Sequence, residues 1–114
     1  MAEKICFEGK KSPYNYEILH SSSGEKRFAE ELDSDTNVLA WTKMHRIIIP
    51  YRNKKGVPAK YYPDFLVRRK NQDELELVEI KGSHLKDDPN VPLKKKAAED
   101  WCHQRGMKYI LKIA

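Results

Sequence analysis

The clearest alternation of apolar and polar positions lies between Tyr61 and Gly82, in YYPDFLVRRKNQDELELVEIKG. Phe65-Leu66-Val67 and Leu75 to Ile80 read as two strands, and the polar Lys70-Asn71-Gln72-Asp73 between them reads as a turn. A two-residue turn at Asn71-Gln72 sets a register in which Asp64 opposes Glu79 and Leu66 opposes Leu77. Opposed residues of an antiparallel pair share a face, roughly 5 Å apart at Cβ, so the two carboxylates converge. Alternation returns Lys81 to the face of Glu79 and turns Phe65, Val67, Val78 and Ile80 towards the core. Burying unpaired carboxylates is costly, and a divalent cation would neutralise them.

The remaining pattern supplies the other elements. Residues 1–13 are polar, end in Ser12-Pro13 and read as a loosely held arm. Tyr14, Tyr16 and Ile18 alternate with polar residues, as in a short strand. After Ser21-Ser22-Ser23-Gly24, the positions Glu25, Phe28, Ala29 and Leu32 recur at helical spacing, and Asp33-Ser34-Asp35 ends that helix. Val38-Leu39-Ala40-Trp41 and Arg46-Ile47-Ile48-Ile49 are further strands, the second either ended by Pro50 or restricted by it to an edge. Tyr51 to Gly56 reads as a basic loop and Ser83 to Asn90 as a polar one. A second helix starts near Val91, with Pro92 in its first turn, Ala97, Ala98, Trp101 and Arg105 at helical spacing, and Gly106 ending it. Lys108 to Ile113 closes the chain as a strand. A strand-helix-strand ending favours a crossover that sets this last strand parallel to Leu75–Ile80. The order predicts a mixed α/β fold, a central mixed sheet flanked by helices.

Composition narrows the class. A chain of 114 residues is read as one domain. The net charge of +5 suits a polyanionic partner without requiring one. No apolar run approaches the roughly 20 residues of a membrane span, and the N-terminal residues lack the apolar core of a signal peptide. Cys6 and Cys102 are isolated, so a reduced, intracellular, cytoplasmic protein is expected.

Pro63-Asp64 followed by Glu79-Ile80-Lys81 resembles the signature of the PD-(D/E)xK nuclease superfamily. The wider Y-x-P-D-F and L-V-E-I-K-G context is similar to the endonuclease domain of type III restriction subunits and to transposon-end nucleases. Glu25-Lys26-Arg27-Phe28-Ala29 with Leu32-Asp33 resembles the E-x-x-F-A…L-D stretch that precedes the active site in the type III domains. The resemblance implies a restriction-endonuclease-like fold and a Mg2+-dependent endonuclease acting on DNA. It makes Asp64, Glu79 and the Ile80 carbonyl the metal ligands, with Mn2+ able to substitute, and Lys81 the residue that positions the attacking water. Hard oxygen donors suit either ion, and no His or Cys spacing suggests zinc.

Several readings stay open. Glu25 is either a carboxylate near the metal, holding a bound water or a second ion, or the reaching residue of a capping box with Ser22. Lys54, Lys55, Lys60, Lys94, Lys95 and Lys96 are candidate phosphate contacts or plain solvated surface. Tyr61 and Tyr62 read as packing residues rather than as platforms for stacked bases, and His84, three residues beyond Lys81, as a candidate substrate contact. Asp64 and Lys81 could instead form an ion pair that ties the sheet end. A non-catalytic nucleic-acid-binding or assembly module and an RNA-cleaving enzyme are the competing functions. One active site cuts one strand, so double-strand cleavage calls for a homodimer or a second nuclease.

Overall fold

The computed structural model describes residues 4–20, 24–82 and 88–113. In chain order the elements are β1 (Lys4–Phe7), β2 (Glu17–His20), α1 (Glu25–Ser34), β3 (Val38–Thr42), β4 (Ile49–Arg52), β5 (Pro58–Tyr61), β6 (Phe65–Arg69), β7 (Glu76–Lys81), α2 (Asn90–His103) and β8 (Lys108–Ile113). The central sheet runs β3-β6-β7-β8. The β3–β6 and β6–β7 pairs are antiparallel, and β7–β8 is parallel. This mixed sheet with two helices is the α/β class read from the pattern, and it is compatible with a restriction-endonuclease-like fold.

Alternation along the central strands divides the core in two. Phe65, Val67, Val78 and Ile80 pack on one face with Phe28, Ala29 and Leu32 of α1, together with Leu19 and Trp41. Leu77 faces the other way, against Ala98 and Cys102 of α2, Ile49 and Tyr61. Strand β7 is therefore buried on both faces, as a central strand with a parallel neighbour must be. Each such buried aliphatic or aromatic side chain contributes about 1.5–3 kcal/mol. Leu66 does pair with Leu77, and Phe65 with Val78, so the hairpin register holds. The ladder stops at Val67–Glu76, which makes the connection wider than two residues.

Three segments depart from the pattern. The residues read as a loose arm are tied down from Lys4, where β1 pairs with β2. The Lys10 and Lys11 amides donate to the Asp33 carboxylate, and the Trp41 amide donates to the Lys11 carbonyl. Gly9 lies so close to the Trp41 ring that an added Cβ would sit 2.7 Å from it. The arm is ordered because Trp41 needs a cover and its own amides find acceptors.

Strand β2 has the opposite phase to the one expected. Tyr14, Tyr16 and Ile18 are exposed, while Glu17 and Leu19 are fully buried. Leu19 joins the α1 core, and Glu17 finds enough donors to be buried without loss, as described below.

The strand placed at Arg46–Ile49 begins where it was expected to end. β4 includes Pro50 and pairs with β5, an unforeseen strand, as a separate two-stranded ribbon. Such a ribbon has an outer edge on both strands, which is where proline is tolerated. The supposed basic loop is reduced to the turn Asn53–Gly56, closed by the Gly56 amide on the Asn53 carbonyl with Gly56 at φ +75°. No helix among the described residues is long and apolar enough to cross a membrane.

Candidate active site

Asp64 directly precedes β6, at the point where the β6–β7 ladder ends. Its Oδ2 accepts the Ile80 amide at 2.9 Å, so the side chain supplies the next rung in place of backbone. That bond fixes Asp64 beside the Glu79-Ile80-Lys81 end of β7. Glu79 is buried; its Oε1 accepts the Tyr61 hydroxyl at 2.9 Å, and its Oε2 lies 3.4 Å from the Lys81 ammonium. Tyr61 spends its single proton on Glu79, so Tyr109 donates to the Tyr61 oxygen at 2.8 Å. Residues from β5, β7 and β8 thereby hold one carboxylate.

Electrostatics at the site are strained upward. Burial, then the charges of Glu79 and Glu25, push the Asp64 carboxyl up to about 8, against the Ile80 amide and the Lys43 ammonium. Burial also raises Glu79, opposed by Lys81, Tyr61 and Lys94. A cation bound beside them would oppose both upward shifts. Asp64 and Glu79 offer hard oxygen donors, and among the described residues no group of three or more His, Cys, Asp or Glu side chains is arranged to hold a metal ion. Such a partial set fits a cation that retains several waters, as magnesium does.

Glu25 opens α1 and is buried. The helix begins at Glu25 with Gly24 as its cap and no side-chain cap bond, so Glu25 is not the third residue of a capping box. Ser22 and His84 lie outside the described residues. Glu25 Oε1 accepts the His20 amide at 3.0 Å and the Lys43 ammonium. Among the described residues the ion pairs at the site are Lys43 with Glu25, Lys43 with Asp64 at 3.8 Å, and Lys81 with Glu79. They are not the Asp64–Lys81 pair weighed from the sequence.

Lys43, Glu17, His45 and Tyr61 are the residues that sequence reasoning missed or undervalued. Thr42 pairs with Leu66 in the β3–β6 ladder, so Lys43 continues alongside Phe65, next to Asp64. Knowing that pairing would have revealed it. The carboxylate of Glu17 accepts the Thr42 hydroxyl and the Lys43 amide, each at 2.8 Å, and also the Ser12 hydroxyl. His45 Nδ1 accepts the Ile47 amide at 3.0 Å, so Nε2 carries the proton and donates to the Pro63 carbonyl at 3.0 Å. Burial pushes this imidazole below its ordinary value.

The candidate lysines scatter. Lys54 and Lys55 are exposed at the β4–β5 turn, Lys60 is exposed on β5, and Lys95 is exposed on α2. Lys96 pairs with Asp100 at 2.9 Å on the outer surface of α2. Lys94 alone adjoins the carboxylates: its ammonium lies 5.7 Å from the Tyr61 ring centroid and 5.9 Å from that of Tyr51. Tyr61 packs as expected, whereas Tyr62 is exposed.

No match is found among the curated proteins. The family model described as TnsA-like endonuclease N terminal matches residues 35–113, a span that takes in Asp64, Glu79 and Lys81 and starts beyond Glu25. That span covers most of the 114 residues and agrees with the resemblance to transposon-end nucleases. With the convergent Asp64 and Glu79 at the sheet end, it points to a nuclease-related function, and the chain belongs to the TnsA-like endonuclease N-terminal family.

Proposed function

We propose that the chain is a Mg2+-dependent endonuclease of the PD-(D/E)xK kind that hydrolyses DNA phosphodiester bonds. The observation that carries this reading is the meeting of Asp64, Glu79 and Lys81 at one sheet end, through the Ile80 amide bond and the 3.4 Å Glu79–Lys81 contact. Asp64, Glu79 and the Ile80 carbonyl would hold magnesium, or manganese in its place, and Glu25 would act on it through water. The ion, when bound, supplies Lewis acidity against the charge that grows on phosphorus.

The chain's own residues do the rest. Lys81 orients the attacking water by hydrogen bonding, within reach of Glu79 Oε2. Tyr61 keeps Glu79 from rotating. Lys94 adds positive charge at the site wall, and the exposed Lys54, Lys55, Lys60 and Lys95 would meet backbone phosphates further out, while Lys96 is taken up by Asp100. Double-strand cutting would take a homodimer or a second nuclease, and the setting would be cytoplasmic.

The test is incubation with linear, supercoiled and single-stranded DNA and with RNA, in Mg2+, Mn2+ or EDTA, beside Lys81→Ala. Metal-dependent DNA cleavage lost in the variant supports the proposal. Binding without cleavage in every condition overturns it in favour of an assembly module, and cleavage of RNA alone overturns the choice of substrate.

A further inference from the structure

We propose that Lys43 occupies the place of a second cation, so that the site takes one divalent ion per chain. This inference rests on the metal site of the proposed function and goes beyond it, because it sets the number of ions and names the group that sets it. The Lys43 ammonium bonds Glu25, stands 3.8 Å from Asp64 Oδ1 and lies 5.6 Å from the Phe65 ring centroid. Its side chain is only 11% exposed. A second ion bridging Glu25 and Asp64 would need this same space, since paired catalytic ions stand about 3.5–4 Å apart.

The placement is built from several directions. The Lys43 amide donates to Glu17 Oε1, and the Thr42 hydroxyl donates to the other Glu17 oxygen. Glu17 is itself fully buried, a costly position that only its three donors make tolerable. His45, two residues on, anchors the same segment to the Pro63 carbonyl. Backbone on both sides of Lys43 is thus fixed, so its side chain starts from a set position and ends in its ion pair with Glu25.

Charge gives the same answer. Among the described residues, three carboxylates (Glu25, Asp64, Glu79) are ion-paired within 4 Å to two ammoniums (Lys43, Lys81), with Lys94 further out at the site wall, so the directly paired groups carry one negative charge over when all are ionised. One divalent ion leaves a single positive charge, which suits a phosphate. A second would gather three positive charges among mostly buried side chains, where like charges repel strongly. Lys43 therefore supplies a second positive centre, placed between Glu25 and Asp64.

The test is isothermal titration of the full chain with Mn2+, comparing wild type, Lys43→Met, Lys43→Gln and Asp64→Ala, with circular dichroism as the check on folding. The expected result is one Mn2+ per wild-type chain, two in either Lys43 variant, and a return to one when Glu25→Gln is added. Two ions per wild-type chain overturn the proposal whatever the variants do, and so does a single ion in folded Lys43 variants. Loss of binding in Asp64→Ala identifies the site in each case. If no protein binds Mn2+, the metal reading of the function falls together with this one; two wild-type ions that depend on Asp64 would sink this inference alone.

Discussion

The Tyr61 hydroxyl donates to Glu79 Oε1 at 2.9 Å, and Tyr109 stands behind it at 2.8 Å. A buried carboxylate held this way presents its other oxygen in one direction. Tyr61→Phe keeps the ring and its packing but frees the carboxylate to rotate. The expected outcome is an unchanged fold with Mg2+ affinity lower by about 10- to 100-fold. Titration calorimetry checks it, and an unchanged affinity would show that Tyr61 only packs.

Asp64 has a carboxyl raised to about 8 by burial and by Glu79 and Glu25. A group whose pKa is higher in the folded state contributes stability fully below its unfolded value, about 3.9, and loses it as pH rises through the folded value. The metal-free protein should therefore weaken as pH climbs through about 8. Asp64→Asn, neutral throughout, should melt several degrees higher than wild type at pH 9 in EDTA. Magnesium should then raise the melting temperature of wild type and not of the variant. Equal melting of the two proteins in EDTA would contradict the assignment.

His45 shifts the other way. Its pKa is lowered, burial being the main cause, so the neutral ring contributes stability above the unfolded value of about 6.5 that is lost as pH falls below it. Protonating Nδ1 also removes the acceptor of the Ile47 amide. The urea midpoint of wild type should drop between pH 7 and 5. His45→Asn, whose amide oxygen can replace Nδ1, should show a flatter profile, and parallel profiles would rule the imidazole out as the cause.

Gly9 is confined by the Trp41 ring, which cannot retreat because its Nε1 donates to Asp33 at 2.7 Å. Gly9→Ala forces a contact of 2.7 Å and should cost about 1–3 kcal/mol, as overpacking does. Urea unfolding measures it. A loss below the error of the measurement would mean that the arm shifts freely, against the ordered β1 described above.

The central hairpin was legible because its signals are local. Alternation sorted Phe65, Val67, Val78 and Ile80 from Leu66 and Leu77, and the polar turn set the register found in the ladder. The two helices and the parallel last strand followed from spacing and from the geometry of a crossover. Glu17 was misread for an equally physical reason. Alternation assigns tyrosines inward and glutamate outward, whereas burial depends on partners that lie 25 and 26 residues further along, at Thr42 and Lys43.

The sequence by itself thus determined the sheet's central pair, the faces of its helices and the pairing register that brings Asp64 towards Glu79. These depend on side-chain period and turn chemistry, which act over a few residues. Only the tertiary structure decided that Lys43 sits between Glu25 and Asp64, that Tyr61 and Tyr109 hold Glu79, and that the N-terminal arm covers Trp41. Each of those contacts joins residues far apart in the chain. They form because a buried charge or a large ring must find a partner, and the folded sheet determines which partner is within reach.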